Sequence, residues 1–230
     1  MPAMHMPPFC QLHNDLPALL PGTCLVQARF DPAQLQAEDF GRCNVPPVRG
    51  VAKRQAEHLA GRLCARSALH GLCGQALIPG RDADGVPIWP AGISGSISHG
   101  HGQAAALVAL SRDWRSLGID LEQQLPPERA TRLAAEILTT NELQRSGGLS
   151  PAEFAQRVTL TFSLKESLFK ALFPLVRRRF YFHDAELLEV DGEQARLRLL
   201  LDLHHEWPSG SELDGHYRSQ ADSLLSLVAI

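Results

Sequence analysis

Apolar residues at Phe162, Leu164, Leu168, Phe169, Ala171, Leu172 and Phe173 cover most of the circumference of a helix. The polar residues in that stretch are not scattered. Ser163, Glu166, Ser167 and Lys170 fall at i, i+3, i+4 and i+7, which is a single stripe. No Gly or Pro interrupts the pattern before Pro174, and Ser150-Pro151-Ala152-Glu153 upstream reads as a capping box that starts the helix. A largely buried helix with one polar stripe needs polar partners opposite it, because unpaired buried charge is costly. The plain alternative is an i,i+4 Glu166–Lys170 ion pair on a solvated face.

Other elements follow from the same kind of pattern. Leu117-Gly118-Ile119-Asp120-Leu121-Glu122 alternates with period two and predicts a half-buried strand with Asp120 and Glu122 on one face. Residues 51–73 predict a helix whose apolar face includes Ala56, Leu59, Ala60, Leu63 and Leu69, ended by Gly71 and Gly74. Asp31-Pro32 opens a short helix, and residues 23–26 and 28–30 suggest an edge strand between loops. Residues 103–110 suit a buried strand turning back into the 117–122 strand. Helices are expected from Pro126-Pro127 to about residue 138 and near Thr140-Asn141-Glu142. Residues 186–190, 195–203 and 223–230 read as strands, with Asp191-Gly192 a hairpin turn. The prediction is an α+β chain.

Composition narrows the class. A chain of 230 residues can bury a real core as one large domain or two small lobes. A net charge of −3 argues against nucleic acid as the main partner. No apolar run approaches a membrane span, and the Pro-bearing N-terminus lacks a signal-peptide pattern, so the expected location is the cytoplasm, with no membrane partner. Five cysteines with no C-x-x-C pair read as reduced thiols rather than a disulfide framework or zinc site.

Two carboxylates side by side on one strand face repel each other and favour a cation between them. Oxygen ligands of that kind suit Mg²⁺, with Mn²⁺ an alternative, and Glu166 on the polar-striped helix supplies a third carboxylate. Asp120 and Glu122 could otherwise lie on a solvated sheet face. Arg54, His58 and Arg62 recur at i, i+4 and i+8 along one side of the 51–73 helix, which is either a solvated basic face or a phosphate site. The segment Gly92-Ile93-Ser94-Gly95-Ser96-Ile97-Ser98-His99-Gly100 has small residues that let backbone approach a ligand. His99-Gly100-His101 lacks further Cys or His at ligand spacing, which disfavours a transition-metal site. Arg177-Arg178-Arg179 reads as a solvated basic turn, or as a steering contact for an acidic partner.

Gly118-Ile119-Asp120-Leu121-Glu122, followed downstream by Phe162-Ser163-Leu164-Lys165-Glu166-Ser167-Leu168-Phe169-Lys170, resembles the signature pair of the 4′-phosphopantetheinyl transferases. The likeness is to the long, two-lobed type, in the branch that holds the enterobactin-pathway enzyme and the broad-specificity enzyme of pseudomonads, and it runs from about residue 51 onward. The resemblance implies transfer of the phosphopantetheine arm of coenzyme A to a serine of acyl carrier proteins and peptidyl carrier domains. It implies an α+β fold built as a pseudo-twofold pair of similar lobes, each a small antiparallel sheet packed with helices. The expected lobes are residues 1–115, binding the nucleotide end, and 116–230, carrying the metal and catalytic residues, with the active site at the lobe interface and the chain a monomer.

Residue by residue, the resemblance implies that Asp120, Glu122 and Glu166 hold Mg²⁺. Glu166 is the implied base, and Lys170 with Asp120 completes the catalytic set. Coenzyme A contacts are implied for Lys53, Arg54 and Arg62, for Gly85, Val86 and Pro87, for Ser98 and His99, and for Lys165. Two other classes remain open: a Mg²⁺-dependent phosphohydrolase of coenzyme A or nucleotides, and a non-catalytic binding module.

Overall fold

The computed structural model describes residues 6–13 and 19–230. The chain divides into two compact units, Met1–Arg115 and Ser116–Ile230. Each packs one long helix on an antiparallel sheet, an α+β layering.

The first unit contains, in chain order, β1 (Cys10–His13), β2 (Thr23–Phe30), α1 (Ala37–Cys43), α2 (Ala52–Cys73), β3 (Gly80–Arg81), β4 (Pro87–Ile88), β5 (Ile93–Gly100) and β6 (Gln103–Leu110). The four longer strands form a sheet in the order β1-β2-β6-β5, and β3 and β4 make a separate hairpin. Leu59, Leu63 and Leu69 of α2 share a core with Val26, Ala28, Ala104, Ala106 and Val108 of the strands. The alanines of β6 are poor strand formers, but their small side chains leave room for the helix. Gly61 serves the same approach, since a Cβ there would stand 2.9 Å from Ile97 Cγ2. The helix ends where Gly74, at φ +73°, donates its N–H to His70 O at 2.9 Å.

Two sequence expectations change here. Residues 23–30 form one strand in the sheet interior, because β1 pairs with β2 in the register Cys10↔Phe30 and takes the edge. The prolines around Cys10 conceal that strand in the sequence. Strand β6 does not continue into the 117–122 strand; it pairs with β2 and β5, within the first unit.

The second unit contains β7 (Leu117–Gln123), α3 (Pro127–Ile137), α4 (Thr140–Arg145), α5 (Pro151–Val176), β8 (Ala185–Asp191), β9 (Gln194–Leu199), β10 (Glu212–Gln220) and β11 (Ser223–Ala229). The sheet order is β7-β11-β10-β9-β8. Strand β10, with Asp214-Gly215 at its centre, lacks an apolar run and is set by its pairing with β9 and β11. Ser150 Oγ caps α5 by accepting from Glu153 N, as the capping box predicts. The helix runs through Pro174 to Val176, and Arg177 at φ +53° closes it by donating N–H to Phe173 O at 2.9 Å. Leu164, Leu168, Ala171 and Leu172 of α5 bury against Leu197, Leu199 and Val228. Helix α3 covers α5 through Ala130, Ala134 and Ile137 against Ala155 and Val158.

One contact fixes the height of α5 over the sheet. A Cβ at Gly118 would fall 2.5 Å from Ala171 N and closer still to Ser167 O. The backbones of β7 and α5 therefore touch. Along the same seam, Ser163 Oγ and Ser167 Oγ each meet Ser226 Oγ at 2.8 Å, and Ser116 Oγ donates to Ala171 O at 2.6 Å. These are partners that the polar stripe of α5 requires.

No disulfide forms among the described residues. Burial, with Cys43 nearby, pushes the Cys10 thiol up to about 12, and burial also raises Cys24 and Cys64, so these thiols stay protonated and unreactive at neutral pH. Among the described residues no helix is long and apolar enough to cross a membrane.

Replacing Gly118 with Ala forces α5 off β7, because both colliding groups are backbone. The variant should lose about 3 kcal/mol of stability or more, read from the urea unfolding midpoint. A midpoint within error of wild type would contradict the close approach.

Candidate active site

In the first unit, cationic side chains gather beside α2. Arg62 is only 6% exposed, and its Nη2 donates to Gly80 O at 3.4 Å. Burial first, then the charges of Arg81 and Arg54, press its guanidinium down to about 10. His58 is pressed down to about 4 by burial, Arg62, Arg81 and Arg54, against a backbone hydrogen bond at Pro46 that favours the charged form. Arg54 Nη1 donates to His99 Nε2 at 3.2 Å, which leaves the ring proton on Nδ1, 3.8 Å from Glu57 Oε2. Lys53 is exposed beside Arg54. Like charges held together in a partly buried place favour an anion.

Arg81 has no place in the sequence expectations for this cluster. It sits in β3, the first leg of the hairpin whose turn carries Gly85 at φ +87°. The Arg81 side chain lies across that turn: its Nε donates to Gly85 O at 3.1 Å, and a Cβ at Gly85 would stand 2.6 Å from its Nη2. Asp82 Oδ1 accepts from Val86 N at 2.8 Å and holds the turn, while Pro87 pairs with Arg81 across the ladder. Gly85, Val86 and Pro87 thus shape the hairpin that presents Arg81. The Asp84-Gly85 turn signal is visible in the sequence; the proximity of Arg81 to Arg62 is not.

The side chains of Ser98 and His99, both expected at the coenzyme, point to different faces. Strand β5 alternates, so the two side chains take opposite sheet faces. His99 lies toward α2, with its Cδ2 3.6 Å from where a Gly61 Cβ would be, whereas Ser98 is buried on the other face.

In the second unit, Asp120 and Glu122 share a strand face with Gly118 and so lie along the α5 seam. Asp120 is 3% exposed, which removes the solvated-face alternative. Lys170 Nζ donates to Asp120 Oδ1 at 2.6 Å, so its partner is on the strand rather than Glu166 one turn back. Burial, then Asp120, with Glu166 adding a smaller push, raises the Glu122 carboxyl to about 7 against the pull of Lys170 and Arg129. Burial also raises Glu166, with Lys170 lowering it and Asp120 raising it. The three carboxylates thus feel one another across α5 and β7.

They do not close into a ligand cage in this structure. Among the described residues, the group whose ligand atoms all lie within 4.8 Å of one another is His204, His205 and Glu206. It sits on an exposed turn, where His204 Nδ1 accepts from Glu206 N at 3.4 Å. Lys170 bonds one Asp120 oxygen.

Lys165, expected at the coenzyme phosphates, is a buried tie between elements of the second unit. It is 3% exposed, and its Nζ donates to Glu142 Oε2 at 2.7 Å and to Ile137 O at 2.8 Å. Glu142 also accepts from Thr139 N at 2.7 Å and from Leu187 N at 2.6 Å. Burial lowers the Lys165 pKa while Glu142 holds it up. This knot fastens α5 to α4 and β8 one residue before Glu166. On the helical stripe of Ser163, Glu166, Ser167 and Lys170, Lys165 is the odd residue out, and that spacing is the sequence signal for its separate role.

Two outcomes test these placements. Lys165→Met should destabilise the protein by about 3 kcal/mol, because it strands a buried carboxylate, while leaving coenzyme A affinity unchanged by calorimetric titration. Weaker binding with intact stability would restore the phosphate contact. His58, neutral in the folded state, binds a proton near 6.5 when unfolded and near 4 when folded. Its contribution is therefore complete above pH 6.5 and drains away as pH falls toward 4. The melting temperature of His58→Gln should fall less steeply than wild type across that window; parallel curves would contradict the assignment.

Two family models match the chain: the 4′-phosphopantetheinyl transferase N-terminal domain over residues 48–109, and the 4′-phosphopantetheinyl transferase superfamily over residues 116–222. Enterobactin synthase component D of Salmonella typhimurium is 42% identical over 149 residues, covering 64% of this chain. The matched segment spans 60% of the length of that relative. The 4′-phosphopantetheinyl transferase Svp of Streptomyces mobaraensis is 36% identical over 195 residues, covering 80% of this chain and 76% of that protein. Enterobactin synthase component D of Escherichia coli O157:H7 is 37% identical, covering 69% of this chain and 74% of that protein. Both matched segments contain charged clusters described above, and the chain belongs to the 4′-phosphopantetheinyl transferase superfamily.

Proposed function

We propose that the protein transfers the 4′-phosphopantetheine group of coenzyme A to a serine of apo acyl carrier proteins or peptidyl carrier domains in the cytoplasm. The observation that carries this reading is the α5–β7 seam. There Lys170 is paired with Asp120, and Glu122 and Glu166 are raised by burial and by neighbouring carboxylates. That donor set suits a hard divalent cation, Mg²⁺ or Mn²⁺, which would relieve the mutual repulsion of the carboxylates. Asp120, Glu122 and Glu166 would hold it, and when bound it supplies charge neutralisation for the pyrophosphate and polarises its phosphorus.

The remaining roles belong to the chain's own side chains. Arg54, Arg62 and Arg81, with His99 beside Arg54 and Lys53 at the helix start, bind the phosphates at the nucleotide end, where guanidinium forks match phosphate oxygens. Glu166 accepts the proton of the attacking serine hydroxyl; burial raises its pKa, which makes it a stronger base than a solvated carboxylate. The serine oxygen bonds to the β-phosphorus of coenzyme A as the bond to the bridging oxygen breaks. Adenosine 3′,5′-bisphosphate leaves, and Lys170 donates to the charge that grows on its departing phosphate oxygen.

The test is the intact mass of an apo carrier protein after incubation with enzyme, coenzyme A and Mg²⁺. The expected result is a gain of one phosphopantetheine, abolished by EDTA and slowed at least about a hundredfold by Glu166→Gln. Consumption of coenzyme A with no gain on any carrier would instead mean hydrolysis.

A further inference from the structure

Between β9 and β10 the chain makes an excursion that no step of the transfer uses. Its ends are clamped together: Gly210 N donates to Leu199 O at 2.8 Å, and Leu199 N donates to Ser211 O at 2.9 Å. Further out, His204 and Trp207 form an antiparallel bridge, with Trp207 N donating to His204 O at 2.9 Å and His204 N to Trp207 O at 3.3 Å. His205 and Glu206 are the two turn residues that this bridge closes. On either side of the turn, Leu203 is buried in the core of the second unit and Trp207 packs against it. Asp202 Oδ1 accepts from Ser209 N at 2.9 Å, and Asp202 O accepts from Arg178 Nη1 at 2.6 Å. The turn is thus held in shape by its base, while the side chains of His205 and Glu206 stand in water.

Three metal-ligating side chains project from this one turn. His204, His205 and Glu206 each offer a ligand atom within 4.8 Å of the other two. The two imidazole centroids are 4.0 Å apart. His204 Nδ1 accepts from Glu206 N at 3.4 Å, which puts the ring proton on Nε2. The same Nδ1 lies 3.8 Å from Glu206 Oε2. Two lone-pair donors therefore face each other with no proton between them, an arrangement that a cation relieves. Ligands held at about 2.1 Å from a tetrahedral ion stand roughly 3.4 Å apart. Small χ rotations of solvated side chains close that gap and leave the backbone of the turn unchanged. The donor set also selects the ion. Imidazole nitrogen suits Zn²⁺, Ni²⁺ and Cu²⁺, whereas Mg²⁺ takes oxygen, and two His with one Glu leave a fourth position for water. This differs in kind from the all-oxygen set of Asp120, Glu122 and Glu166, with which it shares no residue.

We propose that His204, His205 and Glu206 form a surface site for a divalent transition-metal ion of borderline softness, Zn²⁺ first among them, which clasps the turn between β9 and β10. The ion adds stability to the folded chain, because the three ligands come together only when the turn is closed. The site does not depend on the transferase reading.

Calorimetric titration of the full-length protein with zinc chloride in excess Mg²⁺ tests it. The wild type should bind Zn²⁺ with a micromolar Kd at this site, and His204→Ala and His205→Ala should each weaken that event at least about tenfold. Glu206→Gln should weaken it as well. Zn²⁺ should raise the melting temperature of the wild type and leave that of the His204→Ala/His205→Ala double variant where it is, and EDTA should reverse the rise. Metal-free melting curves of each variant, recorded first, separate lost binding from lost folding. An absent event in the wild type, or an isotherm unchanged in the double variant, would overturn the proposal. So would loss of the event in Cys73→Ser, which would give the ion to that exposed thiol. Displacement of the Zn²⁺ by Mg²⁺ alone would likewise overturn it, by assigning the ion to the carboxylates of the α5–β7 seam.

Discussion

The second unit depends on backbone contact between α5 and β7 at Gly118. Remove that contact and the seam opens by the width of a side chain. Ser163 and Ser167 then lose Ser226, Ser116 loses Ala171 O, and Lys170 no longer meets Asp120 at 2.6 Å. Neutral hydrogen bonds on one stretch of the seam and ionised groups on the next are parts of one interface. The stripe serines meet Ser226, which lies across the ladder from Asp120, and Glu122 further along the strand is less deeply buried. The structural half of the stripe thus sets the position of the chemical half.

Charge is handled in two opposite ways within the chain. Lys165 and Glu142 form a saturated pair, every partner supplied by the protein, and the result is a fastening. The clusters around Arg62 and Glu122 are left unbalanced. Arginines depress Arg62 and His58 in the first unit, and carboxylates raise Glu122 in the second. Each imbalance favours charge of the opposite sign: negative beside Arg62, positive beside Glu122. Coenzyme A phosphates and Mg²⁺ have those signs.

Much of this was legible in the residues, for reasons of periodicity. The stripe of α5 and the alternation of β7 both report burial on one side, and both point to Asp120, Glu166 and Lys170. The helix of residues 52–73 and the capping box at Ser150 were equally plain. Strand β10 and the edge strand β1 were not, because their residues carry no apolar run and their pairing partners are distant in sequence. Arg81 escaped for a related reason: a lone arginine before a turn has no pattern, and its meaning lies in facing Arg62. The buried pairing of Lys165 with Glu142 was not legible either, because that partner is distant in sequence.

The sequence by itself determined which segments are helix or strand wherever hydropathy has a period, and which residue types stand on each face. It also carried the two motifs from which family membership could be read. Only the tertiary structure decided partners. Which sheet β6 joins, which carboxylate Lys170 meets, whether Ser98 shares a face with His99, and whether three arginines before β8 are anchored or loose are all matters of contact between residues far apart in the chain. Periodicity is local and fixes orientation about an element's own axis. Pairing is non-local, settled by the packing of small residues such as Gly118 and Gly61 and by the cost of leaving a buried charge without a counterpart.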